Sequence, residues 1–339
     1  MRKILNFFSL FCFLACLAVF PALAQSPPQG PSFALPLACT LGEDCWVLNY
    51  PDVGPLGDGK QTDHACLSRT YEAHKGTDFA IRDESAMKKG VDVLAAAEGT
   101  VMRVRDSEPD RWPTKDDLEA TKKAQRECGN AVLIDHGNGW QTMYCHMKRG
   151  SVVVKPNQKI KTGEKIGQVG LSGLTEFPHL HFGVIHKDKV IDPFTGDDIA
   201  APCTLDPKQS LWNKNTKLIY EPVSFFDLGF DLKAPVLKNL DRERVARSLL
   251  RKDAAALVFH ATMLGVRGGD VIDLVVLAPD GSTFAKKTII QEQSRARQLY
   301  YLGRKTTGAS TLQAGPYVGK VTLTRGDDQY VRQSTITIQ

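Results

Sequence analysis

The stretch GNAVLIDHGNGWQTMYCH, residues 129–146, contains two strand-like segments on either side of a tight turn. Residues 131–136 and 140–146 are rich in apolar and β-branched side chains, and Gly137-Asn138-Gly139 separates them. Such a turn between two strand-like runs is a strong signal for an antiparallel hairpin. We therefore expect this part of the chain to be built on an antiparallel sheet.

Strand signals continue on both sides of this hairpin. Runs of apolar and β-branched residues, punctuated by Gly and Pro, occur at 91–97, 100–105, 152–154, 165–169 and 180–185. The highly charged residues 107–127 differ from the rest and are predicted to form a short surface helix that starts after Thr114. Residues 37–203 are thus predicted to form one mostly β domain.

The C-terminal part, residues 204–339, is predicted to be a second domain. Residues 204–240 are interpreted as a linker with an edge strand. Short strand-like runs with turn residues between them follow at 255–261, 271–277, 282–290, 298–301, 317–323 and 334–338. Strands spaced in this way predict an immunoglobulin-like β-sandwich, and two domains suit the length of the chain.

The first 24 residues have the composition of a signal peptide. Arg2 and Lys3 precede an apolar run over residues 4–20, and Ala22-Leu23-Ala24 has the small-x-small pattern of a cleavage site. We expect cleavage near Ala24, a loose lead-in over residues 25–36, and a secreted or periplasmic protein without stable membrane insertion.

Cysteine usage agrees with export. Of the eight cysteines, two lie within the expected signal peptide and six lie beyond it. An even number in an oxidising compartment predicts three disulfides, for which six cysteines allow 15 pairings. Only Cys128–Cys145 has local support, because the two residues lie on opposite arms of the hairpin. A cysteine metal site is set aside because the chain has no CxxC pair.

Charge and histidine are unevenly distributed. Residues 204–339 hold 20 basic and 13 acidic side chains, whereas the remainder holds 23 and 25. Seven of the eight histidines lie between His64 and His186. The reactive chemistry is therefore expected in the first domain and the positive charge in the second.

Three short patches hold the candidate reactive residues: His74-Lys75-Gly76-Thr77-Asp78, Tyr144-Cys145-His146-Met147 and Pro178-His179-Leu180-His181-Phe182. The two-residue period of a strand places both imidazoles of a His-x-His sequence on one face. Two neutral imidazoles and one carboxylate form a known ligand set for catalytic zinc, with the fourth position left for water. The remaining histidines could then move protons.

These patches resemble, in order and approximate spacing, the lysostaphin-type (beta-lytic) zinc endopeptidases. The resemblance covers residues 70–195 and includes the stretch 129–140 and the turn at 163–167. It implies an antiparallel sheet with an active-site groove and one Zn²⁺ per chain. By this resemblance His74, Asp78 and His181 are the zinc ligands, and His146 and His179 are the catalytic histidines.

The resemblance also implies a substrate, namely the peptide crosslinks of bacterial peptidoglycan. The basic C-terminal domain is then a candidate for contact with the anionic wall, with residues such as Arg242, Arg244, Arg247, Arg251 and Lys252; an ordinary solvated basic face is the alternative. No nucleic acid partner is expected. Alternative functions are a non-catalytic regulator of wall hydrolases, a protease of glycine-rich extracellular proteins, and a pure wall-binding module.

The sequence departs from the family pattern at two places. Residues 175–178 stand where many relatives have a smaller, Gly-containing stretch, and Gly183 stands where an acidic residue often follows Phe182. Neither change removes a ligand, so they bear on crosslink preference. Of the other histidines, His136 is interpreted as structural and His260 as a core residue, and we expect the remaining two, His64 and His186, to be exposed.

Two tyrosines near these patches have two interpretations each. Tyr71 is a packed aromatic or a residue at the groove mouth, and we favour packing. Tyr144 shares a strand face with His146, two residues along, which would let it line the groove; here too we favour a residue without a function in the site.

Overall fold

The hairpin of residues 130–147 lies inside an eight-stranded antiparallel sheet. Its turn has positive φ angles at Gly137, Asn138 and Gly139, a conformation that glycine and asparagine adopt most readily. The prediction of the hairpin is confirmed.

The computed structural model describes residues 30–339 except 56, 58, 205–208, 217 and 307–310. The expected signal peptide lies outside these residues.

The elements of the first part are short strands with two helices. Their bounds are β1 Cys45–Asn49, β2 Thr77–Ile81, α1 Glu84–Lys89, β3 Asp92–Leu94, β4 Gly99–Arg105, α2 Lys115–Lys123, β5 Asn130–Gly137, β6 Trp140–Met147, β7 Lys159–Ile160, β8 Lys165–Gln168, β9 His179–His186 and β10 Lys189–Ile191. The large sheet has the order β1-β2-β9-β6-β5-β4-β7, and β10 pairs with β9. Strands β3 and β8 form a separate two-stranded sheet, so β3 and β4 do not pair with each other.

The predicted surface helix is present but shorter than the charged segment. Helix α2 begins after Thr114, whose side chain accepts from the amide of Asp117, and the Asp117 carboxylate accepts from the Thr114 amide. This reciprocal capping satisfies donors that the first turn leaves free. No side chain of α2 is buried, as expected for a surface helix. Helix α1, capped by Asp83, was not predicted.

The C-terminal part consists of two sheets that share one core. Its elements are β11 Ser224–Asp231, α3 Leu237–Arg242, β12 Leu249–Leu250, β13 Ala256–Val266, β14 Val271–Leu277, β15 Thr283–Ile290, β16 Arg295–Lys305, β17 Gly315–Arg325 and β18 Asp328–Ile338, after a short 3₁₀ turn at Lys214–Thr216. The sheets have the orders β11-β13-β16 and β12-β18-β17-β14-β15. Side chains from both sheets, among them Phe259 and Leu274, form one buried cluster. The likeness to an immunoglobulin domain stays a prediction.

Residues Pro31–Gln339 form one compact unit. Within it, a small junction cluster joins the two parts. It consists of Trp46, Leu48 and Ala80 from the first sheet and Phe226 and Leu264 from the C-terminal part. Leu211 and Trp212 pack in the core of the first part, and a boundary at residue 203 stays a prediction.

Three disulfides link the six cysteines beyond the expected signal peptide. They are Cys39–Cys45, Cys66–Cys203 and Cys128–Cys145. Both the number of disulfides and the one locally supported pair agree with the prediction from the sequence.

Among the described residues, none of the helices has the length and apolar character needed to cross a bilayer.

Candidate active site

Neighbouring strands bring the predicted site residues together. Asp78 on β2 lies directly opposite His181 on β9. Strand β9 also pairs with β6, where Cys145 lies opposite His181, so that His146 follows one residue further. Side chains that face each other across an antiparallel pair have Cβ atoms about 4.5–5.5 Å apart. The sheet register therefore places residues from three sequence patches within contact distance.

Three of these residues form a compact triangle of donor atoms. His74 Nε2 lies 3.0 Å from Asp78 Oδ1 and 3.2 Å from His181 Nδ1, and the latter two atoms lie 2.9 Å apart. Ligands that hold zinc tetrahedrally at ~2.0–2.1 Å lie about 3.3 Å from one another. The three atoms therefore fit one face of a zinc coordination tetrahedron.

Two further groups orient these side chains. The Tyr50 carbonyl lies 2.7 Å from His74 Nδ1, and because a carbonyl only accepts, this nitrogen carries the proton and Nε2 faces the centre. The amide of Asn49 donates to Asp78 Oδ2 at 2.9 Å. Such partners fix the tautomer and aim of metal ligands. Neither group was predicted from the sequence, although Asn49 is a polar residue in the otherwise apolar run 45–50.

Burial and charge act in opposite directions at this centre. Burial by itself would raise the pKa of Asp78, but the charges of His74 and His179 and hydrogen bonds from His179 and His181 hold that pKa well below its usual value. Burial lowers the pKa of His181 despite its bond to Asp78. Asp78 is therefore an ionised, buried carboxylate, which is the charge that a bound cation neutralises.

His146 owes its direction to an unusual backbone. Its φ is +61°, a left-handed conformation that few residues other than glycine adopt, and this breaks the regular alternation of β6. Its Nδ1 lies 2.9 Å from the Ser172 carbonyl, so Nδ1 donates and Nε2 has a free lone pair. Burial, and then the charges of His179 and His181, hold the pKa of His146 well below its usual value. The ring is thus neutral, with an unprotonated Nε2.

His179 lies between His146 and the carboxylate. Its Nε2 is 3.5 Å from Asp78 Oδ1, and its ring centroid is 4.6 Å from that of His146. Its Nδ1 lies 2.9 Å from the Phe177 carbonyl and 3.0 Å from Thr175 Oγ1. The carbonyl again requires a proton on Nδ1, and Nε2 is the nitrogen that faces Asp78. All five predicted site residues therefore lie together.

Two residues outside the predicted set of five lie against the centre. A Cβ on Gly76 would lie 2.6 Å from His181 Nε2 and 2.6 Å from the Phe182 carbonyl oxygen, so only glycine fits there. The Tyr71 ring stacks on His74 with centroids 4.3 Å apart, and 48% of the residue is exposed. Tyr71 therefore borders the site, contrary to our preference for a packed aromatic.

Two other expectations near the site were wrong. Tyr144 is fully buried and its hydroxyl accepts from the Ala96 amide, because the turned backbone at His146 puts the two side chains on different sides. His64 is buried against Phe194, with ring centroids 4.7 Å apart, and is not exposed.

The remaining histidines have structural contacts. His136 bonds the Glu98 carbonyl and the Thr142 hydroxyl, in agreement with a structural role. His186 is half-buried, stacked on Trp140. His260 is buried in the C-terminal part, with Nε2 3.1 Å from Asp227. A group of Cys39, Asp44 and Cys45 also has metal-like spacing, but its two sulfurs are joined in a disulfide.

The antiparallel sheet presents two imidazoles and a carboxylate as one face of a tetrahedron, with two more imidazoles beside it. This arrangement is that of a metallopeptidase. Residues 72–193 match Peptidase family M23 and form a domain of that family.

Two named relatives are similar to part of the chain. The chain is 30% identical over 126 residues to the peptidoglycan DD-endopeptidase ShyA of Vibrio cholerae, covering 37% of this chain and 23% of ShyA. It is 28% identical over 127 residues to the DD-carboxypeptidase/endopeptidase Mpg of Neisseria meningitidis serogroup B, covering 38% of this chain and 23% of Mpg. The chain thus spans less than a quarter of the length of these relatives.

Among solved structures, the catalytic domain of lysostaphin from Staphylococcus simulans is similar with a TM-score of 0.27 and 22% identity, over 43% of this chain and 85% of that one.

Proposed function

We propose that this chain is an exported zinc endopeptidase that hydrolyses the peptide crosslinks of bacterial peptidoglycan. The observation that carries the proposal is the triangle of His74, Asp78 and His181 donor atoms, 2.9–3.2 Å apart, with His146 and His179 beside it. The three donors are proposed as the ligands of one Zn²⁺. The M23 domain and the DD-endopeptidase relatives support the reaction class.

Zinc held at this centre supplies a Lewis acid that acidifies water and polarises a carbonyl. The chain supplies the proton transfers. The Ser172 and Phe177 carbonyls hold the Nδ1 protons of His146 and His179, so Nε2 of each ring can accept a proton. The imidazolium formed can then donate to the leaving amine or to the oxyanion. Asn49 and the Tyr50 carbonyl keep Asp78 and His74 aimed at the metal position.

The bond proposed for cleavage is the crosslink between D-alanine and a diamino acid. Support comes from the relatives ShyA and ShyB, both named peptidoglycan DD-endopeptidases.

Export is supported by the apolar N-terminal run with its cleavage pattern and by the three disulfides, since disulfides persist in oxidising compartments. The periplasm is the proposed location.

Digestion of purified sacculi tests this proposal. The zinc-loaded chain should convert crosslinked muropeptides to monomers, and chelation or His181→Ala should stop the conversion. Muropeptide profiles that stay unchanged while the chain binds sacculi would identify a non-catalytic regulator or wall-binding module instead. Digestion of elastin with unchanged sacculi would identify a protease of glycine-rich proteins.

A further inference from the structure

A side chain of the C-terminal part reaches the loop that precedes the histidine pair. This loop, residues 175–178, leads into β9 and ends one residue before His179. The ring of Phe177 packs against the junction cluster defined above. The guanidinium of Arg297, on β16, lies over the Phe177 ring with 4.8 Å between its Cζ and the ring centroid. The C-terminal part therefore touches the site's own loop.

Arg297 is itself held in a fixed orientation. Its two terminal nitrogens donate to the two carboxylate oxygens of Asp241, at 2.7 and 2.8 Å. Both side chains are largely buried, with 13% and 6% of their surface exposed. A planar guanidinium paired in this two-point way has little freedom to rotate. Its flat face is thus presented to Phe177 as a rigid surface.

Phe177 in turn contacts His179 in two ways. Its carbonyl oxygen accepts the proton of His179 Nδ1 at 2.9 Å, and its ring lies against the imidazole with centroids 4.7 Å apart. The hydroxyl of Thr175 also donates to this carbonyl, at 2.8 Å. The position of one residue, Phe177, therefore sets both the tautomer and the tilt of the imidazole.

We propose that Arg297, clamped by Asp241, is a positioning residue for His179 and acts through Phe177. The inference rests on the proposed function in that His179 is taken to transfer protons. With Arg297 in place, Phe177 cannot swing away, so its carbonyl keeps the proton on Nδ1 and keeps Nε2 pointed toward Asp78. The C-terminal part is then required for the reactive form of the site, independently of any contact with the wall.

The first experiment does not depend on turnover. Histidine-selective ¹⁵N labelling of the full zinc-loaded chain, with the His179 signals assigned by their loss in His179→Ala, reports which ring nitrogen carries the proton. The wild type should show a single Nδ1–H form. Arg297→Met and Phe177→Leu should each show a mixture of tautomers or a broadened signal. An unchanged Nδ1–H form in both variants would overturn the proposal even if the chain cleaves peptidoglycan.

The matched control is Arg325→Met. Arg325 is also largely buried and also pairs in a two-point way with a carboxylate, that of Asp270, at 2.8 and 2.6 Å. Within the described part of the chain its other hydrogen bonds go to the Pro222 and Gly265 carbonyls and not to Phe177. Arg325→Met should lower the melting temperature while leaving the His179 spectrum and the relative kcat as in the wild type.

Kinetics then measure the consequence for catalysis. Arg297→Met should lower kcat on muropeptide dimers about tenfold or more, because small misplacements of a reacting group cost this much, with KM and zinc stoichiometry unchanged. The double variant Arg297→Met, Phe177→Leu should lose no more than either single variant. Additive losses, loss of zinc, or an equal fall in kcat for Arg325→Met would overturn the proposal.

Two further outcomes have defined meanings. If Arg297→Met fails to fold, Phe177→Leu and Arg297→Lys provide the same tests, since lysine keeps the charge and loses the two-point pairing. If the wild type is inactive on sacculi but shows the tautomer change in the variants, the proposed function fails while the positioning role stands.

Discussion

At Asp78 a single carboxylate oxygen lies 2.9–3.5 Å from three imidazole nitrogens, those of His74, His179 and His181. In the proposed roles only two of these rings bind metal. His179 Nε2 lies 3.5 Å from Oδ1, whereas the nitrogens of His74 and His181 lie 3.0 and 2.9 Å from it. This longer distance agrees with the proposed role of His179 in proton transfer.

Alanine variants should separate these roles. His146→Ala and His179→Ala are expected to lower kcat about 10²- to 10⁴-fold while zinc stays bound, since each removes a proton-transfer group. His181→Ala should lose the metal together with activity. Elemental analysis alongside muropeptide release measures both properties. Loss of zinc in His146→Ala with retention in His181→Ala would reverse the assignment.

Gly76 gives a second prediction at the scale of one residue. Gly76→Ala should weaken zinc binding, because the added Cβ would lie 2.6 Å from His181 Nε2 and would push the ring out of the triangle. Gly183→Ala is the control, since its Cβ would meet no atom closer than 3.7 Å. Zinc titration with a competing chelator compares the two. Equal affinities in both variants would contradict the expected steric effect.

Among the elements, the hairpin β5–β6 also helps to hold the backbone of His146 in place. The disulfide Cys128–Cys145 ties its strand β6 to the segment before β5, and the Cys128 carbonyl accepts from the His146 amide at 2.8 Å. The Gly170 amide donates to the His146 carbonyl at 2.9 Å. These bonds support the left-handed backbone that aims His146.

Removal of this disulfide should therefore affect both stability and activity. The variant Cys128→Ser, Cys145→Ser is expected to lose about 3 kcal/mol of unfolding free energy, the value typical of a loop of this length, and to lose turnover because His146 is released. The variant Cys39→Ser, Cys45→Ser, which opens a shorter loop, should lose less stability and keep its relative kcat. Denaturant unfolding and muropeptide release check both, and a fully active first variant would contradict the expectation.

For the whole molecule, the structure changes which basic residues can meet a wall. Arg244 is largely buried, 3.0 Å from Asp227 and over the Phe226 ring, so it belongs to the junction and not to a docking face. Arg242 lies over Trp112. Arg251 is exposed and paired with Asp253. Contact between the basic C-terminal part and the wall stays a prediction, and Arg244 is no longer among the residues expected to make it.

Wall contact through charge should be sensitive to salt. The full chain carrying His181→Ala is used because it should not cut the wall. It is expected to bind sacculi at low ionic strength and to dissociate above about 0.15 M, where the Debye length falls below ~8 Å. Pull-down across a salt series measures this. Binding that does not change with salt, or no binding at low salt, would assign the C-terminal part to protein contacts or to the positioning of His179 alone.

The local sequence was sufficient for the hairpin and the capped surface helix, whereas the grouping of the five reactive residues was expected from the resemblance to the lysostaphin-type endopeptidases. The period of two in His179-Leu180-His181, with apolar Leu180 and Phe182 on the other face, depends only on strand geometry, and both apolar side chains are fully buried. The Cys128–Cys145 pair followed in the same way from the two arms of the hairpin. These features depend on neighbours in sequence.

Tertiary structure alone decided the groups that complete the site. Asn49, the Tyr50 carbonyl and Arg297 come from distant parts of the chain, and their roles depend on sheet register and on how the two parts meet. The positive φ at His146 reversed the expected face of Tyr144, because a local pattern assumes a regular strand. Burial of His64 likewise arises from contacts with Phe194 and Tyr220. Local propensity cannot encode such contacts, since their energy is realised only when segments far apart in sequence pack together.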